Sequence, residues 1–149
     1  KQCKSIEEVA AWVNDNKLKI CHWVTVDDLN FLKRGGRLSS SSALFGTMLS
    51  IKPILKVDDE GKLGAVDKIR GRKNALTRLV DEIEKNAVNP ADHVVYIAHA
   101  DCLEEAEALA DEIKRRINPK DVRIEFIGPV VGGHAGPNTM AVFFFGRNR

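Results

Sequence analysis

His93-Val94-Val95-Tyr96-Ile97-Ala98, then Asp101 to Ile117, then Val122 to Ile127, carries the strongest structural pattern in the chain. The first six residues form a short apolar run, rich in β-branched and aromatic side chains, of the kind buried in a sheet. Leu103, Ala106, Leu109, Ala110, Ile113 and Ile117 then recur at helical spacing, with Asp101 and Glu104 reading as the pair that starts the helix. Asn118-Pro119 ends it, because proline lacks an amide donor and restricts the residue before it. Strand, helix, strand in that order predicts two parallel strands joined by a right-handed crossover, hence an α/β fold.

Working outward, Leu76, Leu79, Val80, Ile83 and Ala87 form an amphipathic helical face that stops at Asn89-Pro90. Pro53 to Val57 and Lys62 to Ile69 flank Asp58-Asp59-Glu60-Gly61, which predicts a hairpin; the acidic pair lacks the spacing of a calcium loop. Ser5 and Glu8 read as a capping box for a helix on Ile6, Val9, Ala10 and Val13 that ends near Asn14 to Asn16. Ile20 to Val26 predicts a strand, after which Thr25 or Asp27 caps a helix with Leu29, Phe31 and Leu32 on its apolar side. Gly35-Gly36 ends that helix. Ala43, Leu44, Met48 and Ile51 resume helical spacing, with Pro53 expected to stop the helix at or before Lys52. Gly128 to Pro137 reads as a glycine- and proline-rich loop, and Met140 to Phe145 as a final strand.

The 149 residues suit one hydrophobic core. With 23 basic and 21 acidic residues and 6% aromatics, the chain lacks the basic face and stacking aromatics of a nucleic-acid binder. No apolar run is long enough to span a bilayer as a helix, and no signal-peptide pattern opens the chain. Cys3, Cys21 and Cys102 are odd in number and scattered, which suits reduced thiols in the cytoplasm. The absence of an initial methionine suits a fragment or a processed form.

Two glycine-rich places carry the candidate chemistry. In Lys33-Arg34-Gly35-Gly36-Arg37-Leu38-Ser39 the glycines let backbone pass close to a ligand, and Arg37 offers a rigid fork of donors to a carboxylate or phosphate. Ser39 to Ser42 add hydroxyls, or serve only as a helix cap. His134, in the second glycine stretch, is placed to donate to an oxyanion, or is an ordinary loop histidine. A hydrolase or transferase reading joins Ser39 to Ser42 with His134 and Asp101, but the Gly-x-Ser-x-Gly elbow is missing. A nucleotide site at Gly132-Gly133 lacks Walker and Rossmann spacing. His99 with Cys102, and Cys21 with His22, make no complete zinc pattern, so no metal is expected. Arg70-Gly71-Arg72-Lys73 sets positive charge at a helix start, suited to an anion or an acidic partner, or simply solvated. Met48, Leu49, Ile51, Ile54 and Leu55 read as core, with room for an apolar channel.

Asp27-Asp28-Leu29 with Leu32 to Ser39, Ile51-Lys52-Pro53-Ile54-Leu55, Lys68-Ile69-Arg70-Gly71 and Ile127 to Pro137 resemble, in that order, the DegV family. These are bacterial fatty-acid-binding proteins that act as the lipid-presenting subunit of fatty acid kinase. The resemblance implies an α/β fold with a mixed sheet flanked by helices. It implies a junction helix and linker over residues 1–20 and the family's C-terminal lipid-binding domain over 21–149, with the N-terminal domain absent. It further implies a non-catalytic, cytoplasmic protein whose partners are a long-chain fatty acid, the kinase catalytic subunit and the missing N-terminal domain. No cofactor beyond the bound fatty acid is implied. Arg37 and His134, with Ser39, fall where the headgroup network belongs; the family adds a threonine and a serine from its N-terminal domain. Arg70 and Arg72 are candidates for docking the kinase. Asn138 stands where the family usually has glycine.

Overall fold

A computed structural model of the chain describes residues 4–37, 50–147 and 149. In chain order they form α1 (Ile6–Asn16), β1 (Ile20–Thr25), α2 (Leu29–Arg34), β2 (Ile51–Val57), β3 (Leu63–Arg70), α3 (Arg72–Asn86), β4 (Val94–His99), α4 (Leu103–Ile117), β5 (Asp121–Phe126), α5 (Pro129–Ala135) and β6 (Met140–Phe145). The strands make one mixed sheet of order β3-β2-β1-β6-β4-β5. β4 and β5 pair in parallel across α4, as the strand, helix, strand pattern predicts. β6 inserts antiparallel between β1 and β4, so the last strand in sequence lies inside the sheet and joins its two halves.

Alternation along the strands gives the sheet two different faces. Cys21 and Trp23 of β1, Val95 and Ile97 of β4, and Val142 and Phe144 of β6 point to the face packed against α3 and α4, and are buried. Leu79, Val80 and Ile83 of α3 and Ala106, Leu109 and Ile113 of α4 complete this core, on the stripes that helical spacing marks in the sequence. Arg116 ties the two helices: Nη2 donates to Asp81 at 2.8 Å and to Glu84, and Nη1 to Glu112 at 3.3 Å. Arg116→Ala leaves three carboxylates facing one another, and is expected to cost about 1 kcal/mol in urea unfolding, more at low than at high salt.

Several local expectations need correction. Asp28, not Thr25 or Asp27, caps α2, its Oδ1 accepting from the Asn30 amide at 2.8 Å. Thr25 is buried in the sheet, and Asp27 pairs with Lys52 at 2.7 Å instead. The helix predicted from Ala43 lies largely outside the described residues, but Ile51 and Lys52 already belong to β2 rather than to its last turn. Pro53 is within that strand, one residue before pairing with β1 begins at Ile54, where a missing amide is tolerated as on an edge. Cys102, not Asp101, occupies the cap position of α4, and no side chain caps that end; Asp101 turns through φ 56°. Gly128 to Pro137 is not a loop throughout, because it contains α5. Two glycines inside α5 hide it from propensity, whereas Pro129 at its first turn supplies a preset φ and contacts with α2 hold it.

α1 begins at the predicted capping box, with Glu8 and Ser5 exchanging hydrogen bonds at 2.8 and 3.2 Å. None of its residues is buried, and Ile6, Val9, Trp12 and Val13 stand exposed.

Candidate functional site

The second face of the sheet builds the site. His22 and Val24 lie on the opposite side of β1 from Trp23, and antiparallel pairing sets Phe143 and Ala141 of β6 beside them. α2 covers part of this face by packing Leu32 on Val26 and Leu55, and α5 lies next to α2. Between the strands and these two short helices opens a cleft of about 850 Å³, within the range of small-molecule sites. Val24, Val57, Leu63, Val131, Ala141 and Phe143 make its walls mainly apolar, while Arg37 and His134 both border it.

Gly35 is the seat on which these two polar side chains are arranged. A Cβ at this position would stand 2.2 Å from His134 Nδ1, so the imidazole rests where only glycine leaves space. Its φ of −75° is ordinary, and close approach alone demands the glycine. From the other side, Arg37 Nη1 donates to the Gly35 carbonyl at 2.9 Å. One residue at the end of α2 thus brings together two side chains about a hundred positions apart. Arg37 is exposed and His134 half-buried, and both put hydrogen-bonding groups at the border of an apolar cleft.

The end of α5 is fixed as firmly. Gly136 takes φ 82°, and a Cβ there would fall 2.6 Å from the Phe31 ring of α2. Buried Thr139 places its hydroxyl 3.0 and 2.8 Å from the Ala135 and Gly136 carbonyls, to which it donates. Asn138, at φ 58°, keeps a left-handed backbone that asparagine tolerates, and its Nδ2 donates to Asp27 Oδ2 at 3.0 Å. The loops leading into α2 and out of α5 are therefore tied side chain to side chain.

Ser39, with Ser40 to Ser42, Met48 and Leu49, lies outside the described residues. Ile54 is in the α3-side core and Leu55 in the cluster under α2. Asp101 does not border the cleft, and among the described residues no carboxylate bonds His134, so no observation favours the hydrolase reading. His99 is buried, its Nδ1 accepting from the Cys102 amide at 3.3 Å. Cys21 and His22 point to opposite faces of β1, and among the described residues no three metal-binding side chains cluster. Arg72 directs its guanidinium inward, to Glu105 at 2.7 Å and towards Asp27 at 3.7 Å; Arg70 is the exposed member of the basic pair. His22, which the sequence offers only as a weak zinc partner of Cys21, is half-buried on the cleft face with Arg149 Nη2 3.3 Å from its Nδ1. Burial, and then the Arg149 charge, push its pKa below the usual histidine value. Strand alternation from Cys21 and Trp23 was the available signal.

The family model described as "Uncharacterised protein, DegV family" matches residues 1–147. A DegV domain-containing protein of Clostridium perfringens is 51% identical over 146 residues, covering 98% of this chain and 50% of that protein. Among solved structures, the fatty acid binding DegV family protein of Streptococcus agalactiae is 30% identical with TM-score 0.83, over 97% of this chain and 50% of that one. A Thermus thermophilus DegV family protein, described for its fatty acid binding, is 27% identical with TM-score 0.86, over 97% and 52%. The chain spans about half the length of the relatives it matches. Among its described residues no helix is long and apolar enough to cross a membrane. With its fold, its motif order and the family model all in agreement, the chain belongs to the DegV family.

Proposed function

We propose that this chain holds the acyl tail of a long-chain fatty acid in the cleft between the sheet and α2/α5 and presents its carboxylate at Arg37 and His134 to a partner kinase. The observation that carries the reading is the seating of both side chains on Gly35 at the edge of an apolar cleft. Tail burial dominates affinity, at about 0.8 kcal/mol per methylene, and the charge-assisted bonds orient the head. Relatives described as fatty acid binding support the ligand class.

In the proposed reaction the kinase supplies ATP and Mg²⁺. A carboxylate oxygen attacks the γ-phosphorus, the bond from that phosphorus to the β-phosphate oxygen breaks, and acyl phosphate and ADP result. The chain itself positions the acceptor and makes no bond, and it works in the cytoplasm. Residues 1–20 serve as the junction to the other half of the full-length protein, whose threonine and serine complete the carboxylate site, with Ser39 contributing from this half. Exposed Arg70 contributes to kinase docking, while Arg72 anchors the start of α3; Arg70→Glu should lower kinase turnover without changing lipid affinity.

Calorimetric titration with oleate tests the binding step. Arg37→Ala and His134→Ala are each expected to weaken binding by about three- to tenfold, the worth of one charge-assisted hydrogen bond with partial solvent compensation. Unchanged affinity in both variants would remove the assigned headgroup site.

A further inference from the structure

His22 is a polar side chain of the cleft that the headgroup reading leaves unused. It stands on the cleft face of β1 beside Val24, with its ring edge-on to Phe143 at a centroid distance of 5.1 Å. Arg37 follows the end of α2, its amide donating to the Leu32 carbonyl at 2.9 Å, and Leu32 packs on Val26, so Arg37 and the His134 seated beside it on Gly35 belong to the Val26 end of the cleft. From Val26, at that end, back to His22 is four residues of extended chain, about 13 Å. His22 therefore borders the part of the cleft reached by the distal portion of an acyl chain.

Its hydrogen-bonding state follows from its neighbour. A guanidinium can only donate, so the contact between Arg149 Nη2 and His22 Nδ1 makes Nδ1 the acceptor. Burial and the adjacent positive charge keep the ring neutral, so its proton sits on Nε2. Among the described residues no acceptor bonds Nε2. A plain hydrocarbon tail leaves this donor unmatched, whereas an oxygen on the chain accepts from it.

We propose that His22 is a specificity-determining residue, donating through Nε2 to a hydroxyl or keto oxygen in the distal half of the acyl chain, so that the site prefers oxygenated fatty acids over plain ones. This rests on the fatty-acid reading above and narrows its substrate class.

The test measures affinity for stearic acid and for a series of its hydroxylated analogues, the hydroxyl being walked along the chain, in the parent, His22→Leu and His22→Gln. In the parent, one distal hydroxyl position should bind about three- to tenfold more tightly than hydroxyl positions near the carboxylate. His22→Leu should lose that preference while still binding stearic acid, which also shows that it is folded; His22→Gln, which keeps a donor, should retain part of it. A parent that binds stearic acid without preferring any distal hydroxyl, or a preference that survives in His22→Leu, overturns the inference alone. Failure of the parent to bind any of the acids overturns the fatty-acid reading with it.

Discussion

Gly35→Ala is expected to weaken fatty-acid binding by about thirtyfold, roughly 2 kcal/mol, while moving the urea midpoint little. An added methyl group would lie 2.2 Å from His134 Nδ1, far inside contact distance, so one of the two must move. The backbone at Gly35 is in the ordinary helical region, and alanine adopts it without strain. The imidazole, half-buried at the edge of the cleft, is the freer partner and yields. Its displacement removes one headgroup donor and also presses on the seam between α2 and α5 that walls the cleft. The effect should therefore exceed that of His134→Ala. Titration with oleate beside a denaturant curve separates the two consequences; a large loss of stability with unchanged affinity per folded molecule contradicts the account.

Gly136→Ala is expected to do the reverse and cost about 2–4 kcal/mol of folding stability, from a strained left-handed backbone together with an overpacked contact. The backbone stands at φ 82°, and the new methyl would meet the Phe31 ring at 2.6 Å, in a seam where helices on both sides are already fixed. Gly61→Ala provides the control. Gly61 has nearly the same φ, 80°, but no atom within 4 Å of its Cβ position, so only the backbone cost of about 1 kcal/mol remains. Urea unfolding of both variants, with slopes unchanged, checks the difference; equal losses would show that the Phe31 contact contributes nothing.

The contrast between these glycines explains what was legible in the sequence. Periodicity marked α3, α4 and β4 because Leu79, Ile83, Leu109 and Ile113 bury one regular stripe each, and burial of a stripe is what spacing records. α5 was invisible by that route. It is short, contains Gly132 and Gly133, exposes Val130 and Val131, and is held by Thr139, Phe31 and the backbone at Gly35, all from outside the helix. The same reason hid the joining of Arg37 to His134. Each glycine stretch pointed to close backbone approach, but which side chain made the approach depended on β6 entering the sheet beside β1. Arg72 shows the opposite case: a basic run at a helix start looked free, and Glu105, thirty-three positions later, had already claimed it.

Mass spectrometry of an organic-solvent extract of the gently purified protein tests whether the chain holds fatty acid in this cleft. Fatty acid recovered near one molecule per chain, and markedly reduced in extracts of Gly35→Ala, is the predicted result. An extract without fatty acid, from protein that also retains none after incubation with oleate and gel filtration, would contradict it.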